Sequence, residues 1–343
     1  MSDGLVLRAA DRDEDAALRA VVAGAFPDNP KSRPEITRWQ YWDNPFGPTR
    51  AWVWDDAGAV VACYTAYPVP MVLGGRRTIA GLGVDAAILP SHQGRRLFTP
   101  LSRALYADCG RHGMPLTICY PNANSTVGIT KAGWQPIARL RTHVLAFDDA
   151  WLAGRFHLPR PAARAARAAA FRIPSAGGLV AEEVNGVPDG IDGLWEQVAP
   201  TVQYGVVRDA AWWRWRYAQH PDAPYRFFEV RRAGRLVGAA VTLAREAFGG
   251  RFLNVLELLT VDVAAARALT RAVAAGAGDA VGAALIALPG SPLDALAPQA
   301  GFRRLPQRLE PKPVMFGAVP NDGSIPEPAT LAWSVAWGDL DHI

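Results

Sequence analysis

The chain repeats itself. Trp39, Tyr41, Pro45, Pro48, Arg50, Gly58 and Val61 recur without a gap as Trp215, Tyr217, Pro221, Pro224, Arg226, Gly234 and Val237, at a constant offset of 176 residues. A repeat of this spacing means that one arrangement of elements is built twice. Each copy reads as an aromatic helix end, a proline-bounded turn, a strand, a tight turn at Ala57-Gly58 or Ala233-Gly234, and a second strand. Farther on, Val84-Asp85 answers Val261-Asp262 and Ala132-Gly133-Trp134 answers Ala300-Gly301-Phe302, the offset drifting as loop insertions require. At 343 residues the chain exceeds what one core usually holds. The repeat therefore predicts two similar domains: residues 1–147, a basic helical linker at 148–178, and residues 179–343. Arg155, Arg160, Arg164, Arg167 and Arg172 lie among alanines in that linker.

Composition narrows the class. Half the residues are hydrophobic and 20% are charged, which supports packed cores and excludes a disordered chain. No run of eighteen apolar residues escapes a charge or a helix breaker, and residues 1–10 lack the apolar centre of a signal peptide, so a cytoplasmic protein without stable membrane insertion is expected. Cys63, Cys109 and Cys119 have no metal-binding spacing, which predicts reduced thiols and no metal. The net charge of +4 rests on a strong preference for Arg over Lys. It predicts small anionic ligands rather than nucleic acid.

The first copy opens with a strand at 4–8 and an amphipathic helix at 11–25, suggested by Ala16, Leu18, Val21, Val22 and Phe26. Strands follow at 50–55, 59–67 and 78–89, then a helix at 97–112, a strand at 115–120, a short helix at 125–131 and a last strand at 135–147. This is an α/β (α+β) domain with a mixed, mainly antiparallel sheet flanked by helices. Trp333 to Ile343 reads as a closing strand.

Between the third strand and the long helix runs Ile88-Leu89-Pro90-Ser91-His92-Gln93-Gly94-Arg95-Arg96-Leu97. A strand passing through a basic glycine loop into a helix presents unpaired N–H groups and a positive helix end, which suits a pyrophosphate. This segment, with Asn122, Ser125 and the helix exit Lys131-Ala132-Gly133-Trp134, resembles the acyl-CoA site of the GNAT superfamily of N-acyltransferases. The likeness is good over 4–147 and weak over 179–316, so the whole resembles a tandem GNAT protein. It implies acetyl-CoA or another acyl-CoA as co-substrate, bound by Ile88, Leu89, Gln93, Gly94, Arg95, Arg96, Leu97, Phe98, Asn122 and Ser125, with amides near Ile88 and Leu89 facing the thioester oxygen. The chain departs from the family where Arg96 and Phe98 replace loop glycines. Ile129 also stands where a proton-donating tyrosine is usual.

Transfer to an amine needs the neutral amine, which for a lysine-like group costs about 4.6 kcal/mol at pH 7. Asp85, interrupting the apolar run Leu82–Leu89, is the candidate base. A structural carboxylate is the competing reading, because Asp262 repeats it. Tyr120 beside Asn122 is the candidate acid. Trp39, Tyr41 and Trp42 form an aromatic cluster that lines an acceptor pocket or packs the core. The second copy, Val263-Ala264-Ala265-Ala266-Arg267 after Asp262, has no glycine loop and is expected to bind no CoA but to shape the acceptor pocket or serve structurally. The sequence thus predicts an N-acyltransferase that moves an acyl group, in the simplest case acetyl, directly to a primary amine of a small molecule or peptide. An acyl carrier protein as donor and a non-catalytic binding module are the alternatives.

Overall fold

The structure is a computed structural model and describes residues 4–27, 29, 32–222, 224–310 and 313–341. The chain forms two compact units, each assembled from separated stretches. The first comprises Met1–Ala138, Gln219–Asp222 and Val314–Leu331; the second comprises Arg139–Ala218, Ala223–Pro313 and Ala332–Ile343.

The first unit begins with β1 (Leu5–Ala10) and α1 (Asp15–Ala25), whose helically spaced Leu18, Val21 and Val22 are buried. A proline-started turn of helix, α2 (Pro34–Thr37), runs directly into a π-helical turn, Arg38–Trp42. An antiparallel meander follows: β2 (Arg50–Asp56), β3 (Ala59–Leu73) and β4 (Arg76–Ile88). Then come α3 (Phe98–Arg111), β5 (Leu116–Cys119), α4 (Ala123–Lys131) and β6 (Gln135–Arg139). The sheet order is β1-β2-β3-β4-β5, then the strand Met315–Pro320, then β6. Side chains alternate across β3, so Ala62, Tyr64 and Ala66 meet Leu101, Leu105 and Cys109 of α3, while Cys63 joins Val53, Ala87 and the apolar face of α1.

The second unit repeats the plan. Its elements are β7 (Arg141–Ala146), α5 (Asp149–Phe156), α6 (Arg160–Ala170), β8 (Ala181–Val184), α7 (Ile191–Val198), β9 (Tyr204–Val206) and α8 (Ala210–Trp213), which again leads into a π-helical turn, Arg214–Ala218. The meander is β10 (Arg226–Arg232), β11 (Arg235–Ala247) and β12 (Gly250–Thr260), followed by α9 (Val263–Ala275), β13 (Gly282–Ala287), α10 (Pro292–Gln299) and β14 (Arg303–Arg304). Its sheet runs β14-β7-β13-β12-β11-β10-β8. Both units are α/β with mainly antiparallel sheets flanked by helices, the class expected from the repeat.

The compact units do not coincide with the contiguous spans 1–147 and 179–343. The single strand expected over 135–147 breaks at the buried Leu140: β6 stays in the first sheet, and β7 pairs with β13 in the second. In return, Met315–Pro320 pairs with β5 in the first sheet. Apolar alternation specifies a strand but not the edge it joins, so the exchange leaves no local signature. Residues 148–178, expected as a linker, contain α5 and α6, and Ala163 of α6 buries itself against Leu152 and Ala146. The closing strand expected over 333–343 reduces to Trp333–Ser334, parallel to β9, and a 3-10 turn at Trp337–Asp339; residues 342–343 lie outside the described residues.

Candidate active site

The first unit contains a fork in its sheet. β4 and β5 run parallel through Gly81 with Thr117, Leu82 with Ile118 and Gly83 with Cys119, and their pairing stops there. β4 continues to Ile88, held by β3, so its other edge opens where the strands part. Just past the fork β4 carries one extra residue: Cys63 faces Ala87 while Thr65 faces Val84. This bulge places Asp85 in the left-handed region, φ +54°. Such strain in a non-glycine residue costs about 1–3 kcal/mol, and it is typical of functional sites.

The buried Asp85 carboxylate accepts a hydrogen bond from the Tyr41 hydroxyl. Thr65 Oγ1 lies 3.3 Å from that hydroxyl and donates to the Val84 carbonyl at 3.0 Å, and the Cys63 thiol approaches the Asp85 carbonyl at 3.6 Å. Burial, and then the charge of Asp85, push the Tyr41 phenol well above its ordinary value. Tyr41 therefore remains a proton donor throughout the physiological range. The π-helical turn that delivers it, an inserted residue in the helix ladder, is a frequent mark of functional sites.

Above the fork, the chain leaves β4 through a 3-10 turn at Pro90–His92 and enters α3. Gln93, Gly94, Arg95 and Arg96 are exposed, with Gly94 at φ +78° and Arg96 at φ +61°. Among the described residues neither arginine forms an ion pair. The first turn of α3 has no side-chain cap and no acidic residue, which leaves its amides and positive end available to an anion. A left-handed arginine costs about 1–2 kcal/mol relative to an unstrained one. Arg96→Gly should therefore preserve or slightly raise the thermal midpoint, which thermal denaturation reads.

The other expected contacts sort themselves. Leu97 is buried, and Phe98 turns inward onto Gly128 of α4, where a Cβ would stand 2.2 Å from the ring. The Leu89 amide donates to the Val61 carbonyl at 3.0 Å, so it is spent on β3 and does not face the fork as expected. The carbonyl of the same peptide unit, that of Ile88, points the opposite way and accepts from the Gln93 side chain at 3.2 Å. Asn122 caps α4, accepting from the amides of Asn124 and Ser125 at 3.0 Å each, and the Ser125 hydroxyl donates back to the Asn122 carbonyl. Tyr120 follows β5 and rests its ring 5.3 Å from Phe316. Ile129 is buried in the core, so α4 offers no acid there.

Of the aromatic cluster, Tyr41 hydrogen-bonds Asp85. Trp39 sets its ring edge-on to His220 at 4.5 Å, and Trp42 donates to Asp15 at 2.8 Å. Sequence reasoning missed Trp54, whose Nε1 donates to the Leu97 carbonyl at 2.9 Å, and Asp56, 3.0 Å from Nε2 of His92. Their two-residue spacing on one strand face was the available signal.

The second unit holds a closed counterpart. Tyr217 donates to Glu257, not Asp262, at 2.8 Å. Asp262 instead caps α9, accepting from the Ala265 amide at 2.9 Å and pairing with Arg232 at 2.8 Å. The equivalence of Asp85 with Asp262 is thus corrected to Glu257, beside the bulge of β12. Glu257 is neutralised by Arg208 at 2.7 Å, and a Cβ on Gly338 would stand 1.9 Å from the Tyr217 hydroxyl, so the tail fills the space over this pair. A groove of about 700 Å³ lined by Asp149, Arg160, Arg164 and the alanines of α5 and α6 also lies in this unit, remote in sequence from either tyrosine–carboxylate pair.

Comparison with known proteins agrees with this geometry. Residues 6–156 match the family model described as an acetyltransferase (GNAT) domain. No curated protein matches the sequence. A GCN5-related N-acetyltransferase from Anabaena variabilis is similar in structure, with a TM-score of 0.68 at 13% identity, covering 92% of this chain and 73% of that one. One from Kribbella flavida gives 0.62 at 16% identity, covering 93% and 72%. Residues 6–156 are thus similar to a GNAT acetyltransferase domain, and the fold as a whole is similar to that of N-acetyltransferases of known structure.

Proposed function

We propose that the first unit moves an acyl group, in the simplest case acetyl, from acyl-CoA directly to a primary amine of a small molecule or peptide. The observation that carries this reading is the opening of β4 from β5 beneath an uncapped helix, with Asp85 at the bulge. The donor's pyrophosphate would lie on the Gly94–Arg96 loop and the amides opening α3, each charge-assisted contact contributing about 1.5–3 kcal/mol. Its thioester would enter the fork, where the amides of β4 that turn away from β3 face the carbonyl oxygen and stabilise its developing charge. The amine nitrogen bonds to the carbonyl carbon and the carbon–sulfur bond breaks. The surplus proton on nitrogen passes to Asp85, directly or through a water, and the sulfur leaves as thiolate to be protonated by solvent. Ile129 supplies no proton, so rate rests on positioning and on the oxyanion contact. The second unit, with its helix start capped by Asp262 and its carboxylate locked by Arg208, binds no donor in this reading.

Calorimetric titration with acetyl-CoA and with longer acyl-CoAs tests it. One site per chain is expected. Gly94→Asp should abolish binding by setting a carboxylate at the phosphates, whereas Gly94→Asn, equally strained at φ +78°, should retain most of it. No binding by the wild type, or wild-type affinity in Gly94→Asp, overturns the donor assignment.

A further inference from the structure

We propose that β2 is the positioning element of the donor loop, its Trp54 and Asp56 pinning the loop at both ends in the shape that receives phosphate. The inference rests on the donor reading above and adds residues that neither the loop nor the fork contains. Trp54 and Asp56 are two apart on one strand and so point to the same face. Trp54 holds the C-terminal end through the Leu97 carbonyl at 2.9 Å. Asp56 holds the N-terminal end through His92 Nε2 at 3.0 Å, and the other ring nitrogen of that histidine is fixed by the Ser91 hydroxyl at 2.8 Å. Between the pins lie only exposed residues, two of them left-handed, and Arg96 has no glycine's freedom to stay so. Strained backbone of this kind persists only when its surroundings over-determine it. Here the surroundings include the two side chains of β2, beside the Gln93 side chain that donates to the Ile88 carbonyl.

The second unit carries the same tether with its charges reversed. Arg232 stands 176 residues after Asp56, at the end of the corresponding strand, and reaches the start of the corresponding helix by pairing with Asp262 at 2.8 Å. There the tethered carboxylate is itself the helix cap, and it covers the amides. In the first unit the carboxylate sits on β2 and grips His92, which secures the loop and leaves the amides of α3 uncovered. The tether is common to both copies, and its polarity separates an open anion site from a closed one.

Asp56 makes the test decisive, because pinning and plain electrostatics predict opposite signs. Removing a carboxylate near a phosphate site should tighten CoA binding if charge alone matters. If Asp56 positions the loop, Asp56→Ala should weaken it, with the Kd for CoA rising about fivefold or more, the value of one lost hydrogen bond. Asp56→Asn, whose amide can still pair with His92, should bind at least as well as the wild type. Trp54→Phe, which keeps an aromatic ring but loses the indole donor and part of the ring volume, should also raise the Kd about fivefold or more. Calorimetry with CoA reads all three, beside ligand-free thermal midpoints. Should Trp54→Phe fail to fold, Asp56→Ala carries the test, since that side chain is 33% exposed and contributes little to the core. Unchanged or tighter binding in Asp56→Ala overturns the pinning while leaving the donor site intact. A wild type that binds no CoA overturns both.

Discussion

Replacing Asp85 with Asn should slow acyl transfer by about 10²- to 10⁴-fold, the usual contribution of a positioned general base, while CoA affinity stays at its wild-type value. The substitution is mild in every other respect. Asn tolerates the left-handed φ of +54° as readily as Asp, so the bulge should survive. Tyr41, kept protonated by burial and by the neighbouring charge, can donate to an amide oxygen as it does to the carboxylate. Only the ability to take a proton is lost. The pH profile of kcat/KM separates this role from a structural one. A base role for Asp85 predicts that the profile changes shape in Asp85→Asn. An Asp85→Asn enzyme with wild-type turnover and an unchanged profile would leave Asp85 as a structural carboxylate and move the base to water.

Two units and their class were legible because repetition survives even where chemistry has diverged: Trp39 with Trp215 and Tyr41 with Tyr217 still align without a gap. The placement of the candidate residues was legible in part. Gly94, Arg95 and Arg96 are where the loop motif placed them, and Asp85 was visible as a single acid in an apolar strand. Its partner was not, because Tyr41 lies 44 residues upstream and nothing local shows that a π-helical turn aims it at a bulge. The same signal that marked Asp85 was present in the second copy, in the lone acid of Leu256-Glu257-Leu258. The dipeptide Val261-Asp262 matches Val84-Asp85 by letter and masks it. Matching by register instead selects Glu257, which Val241 faces where the pairing shifts. The strand exchange was beyond reach for a different reason. Arg141–Ala146 and Met315–Pro320 each suit an interior strand, and the choice between sheets is made by packing over distances no window of sequence covers.

The closed counterpart in the second unit carries the largest stability effect. Arg208 is buried, and although burial disfavours its cation, Asp339 and Glu257 more than offset this and hold it charged. It donates to Glu257 at 2.7 Å, to both oxygens of Asp339 at 2.7 and 2.9 Å, and to the Val206 carbonyl. Arg208→Ala leaves two buried carboxylates facing each other without their cation, and should destabilise the unit by about 3–5 kcal/mol, seen as a lower thermal midpoint. The pH dependence has a fixed sign. Burial, together with the charge of Asp339, raises the Glu257 carboxyl above its ordinary value, with Arg208 pulling it back down. Glu257 therefore works against stability as pH rises from its unfolded value through its folded one, and without Arg208 the folded value climbs further. The deficit of Arg208→Ala should accordingly be largest at neutral and alkaline pH and shrink as the pH falls toward the ordinary carboxylate range. Adding Glu257→Gln should recover much of the loss, because it removes a charge left unpaired, and a double-mutant cycle measures that coupling. A deficit that is flat with pH and additive with Glu257→Gln would instead mean that Arg208 acts through packing and its bond to Val206, and that the pair beneath the tail is not an electrostatic lock.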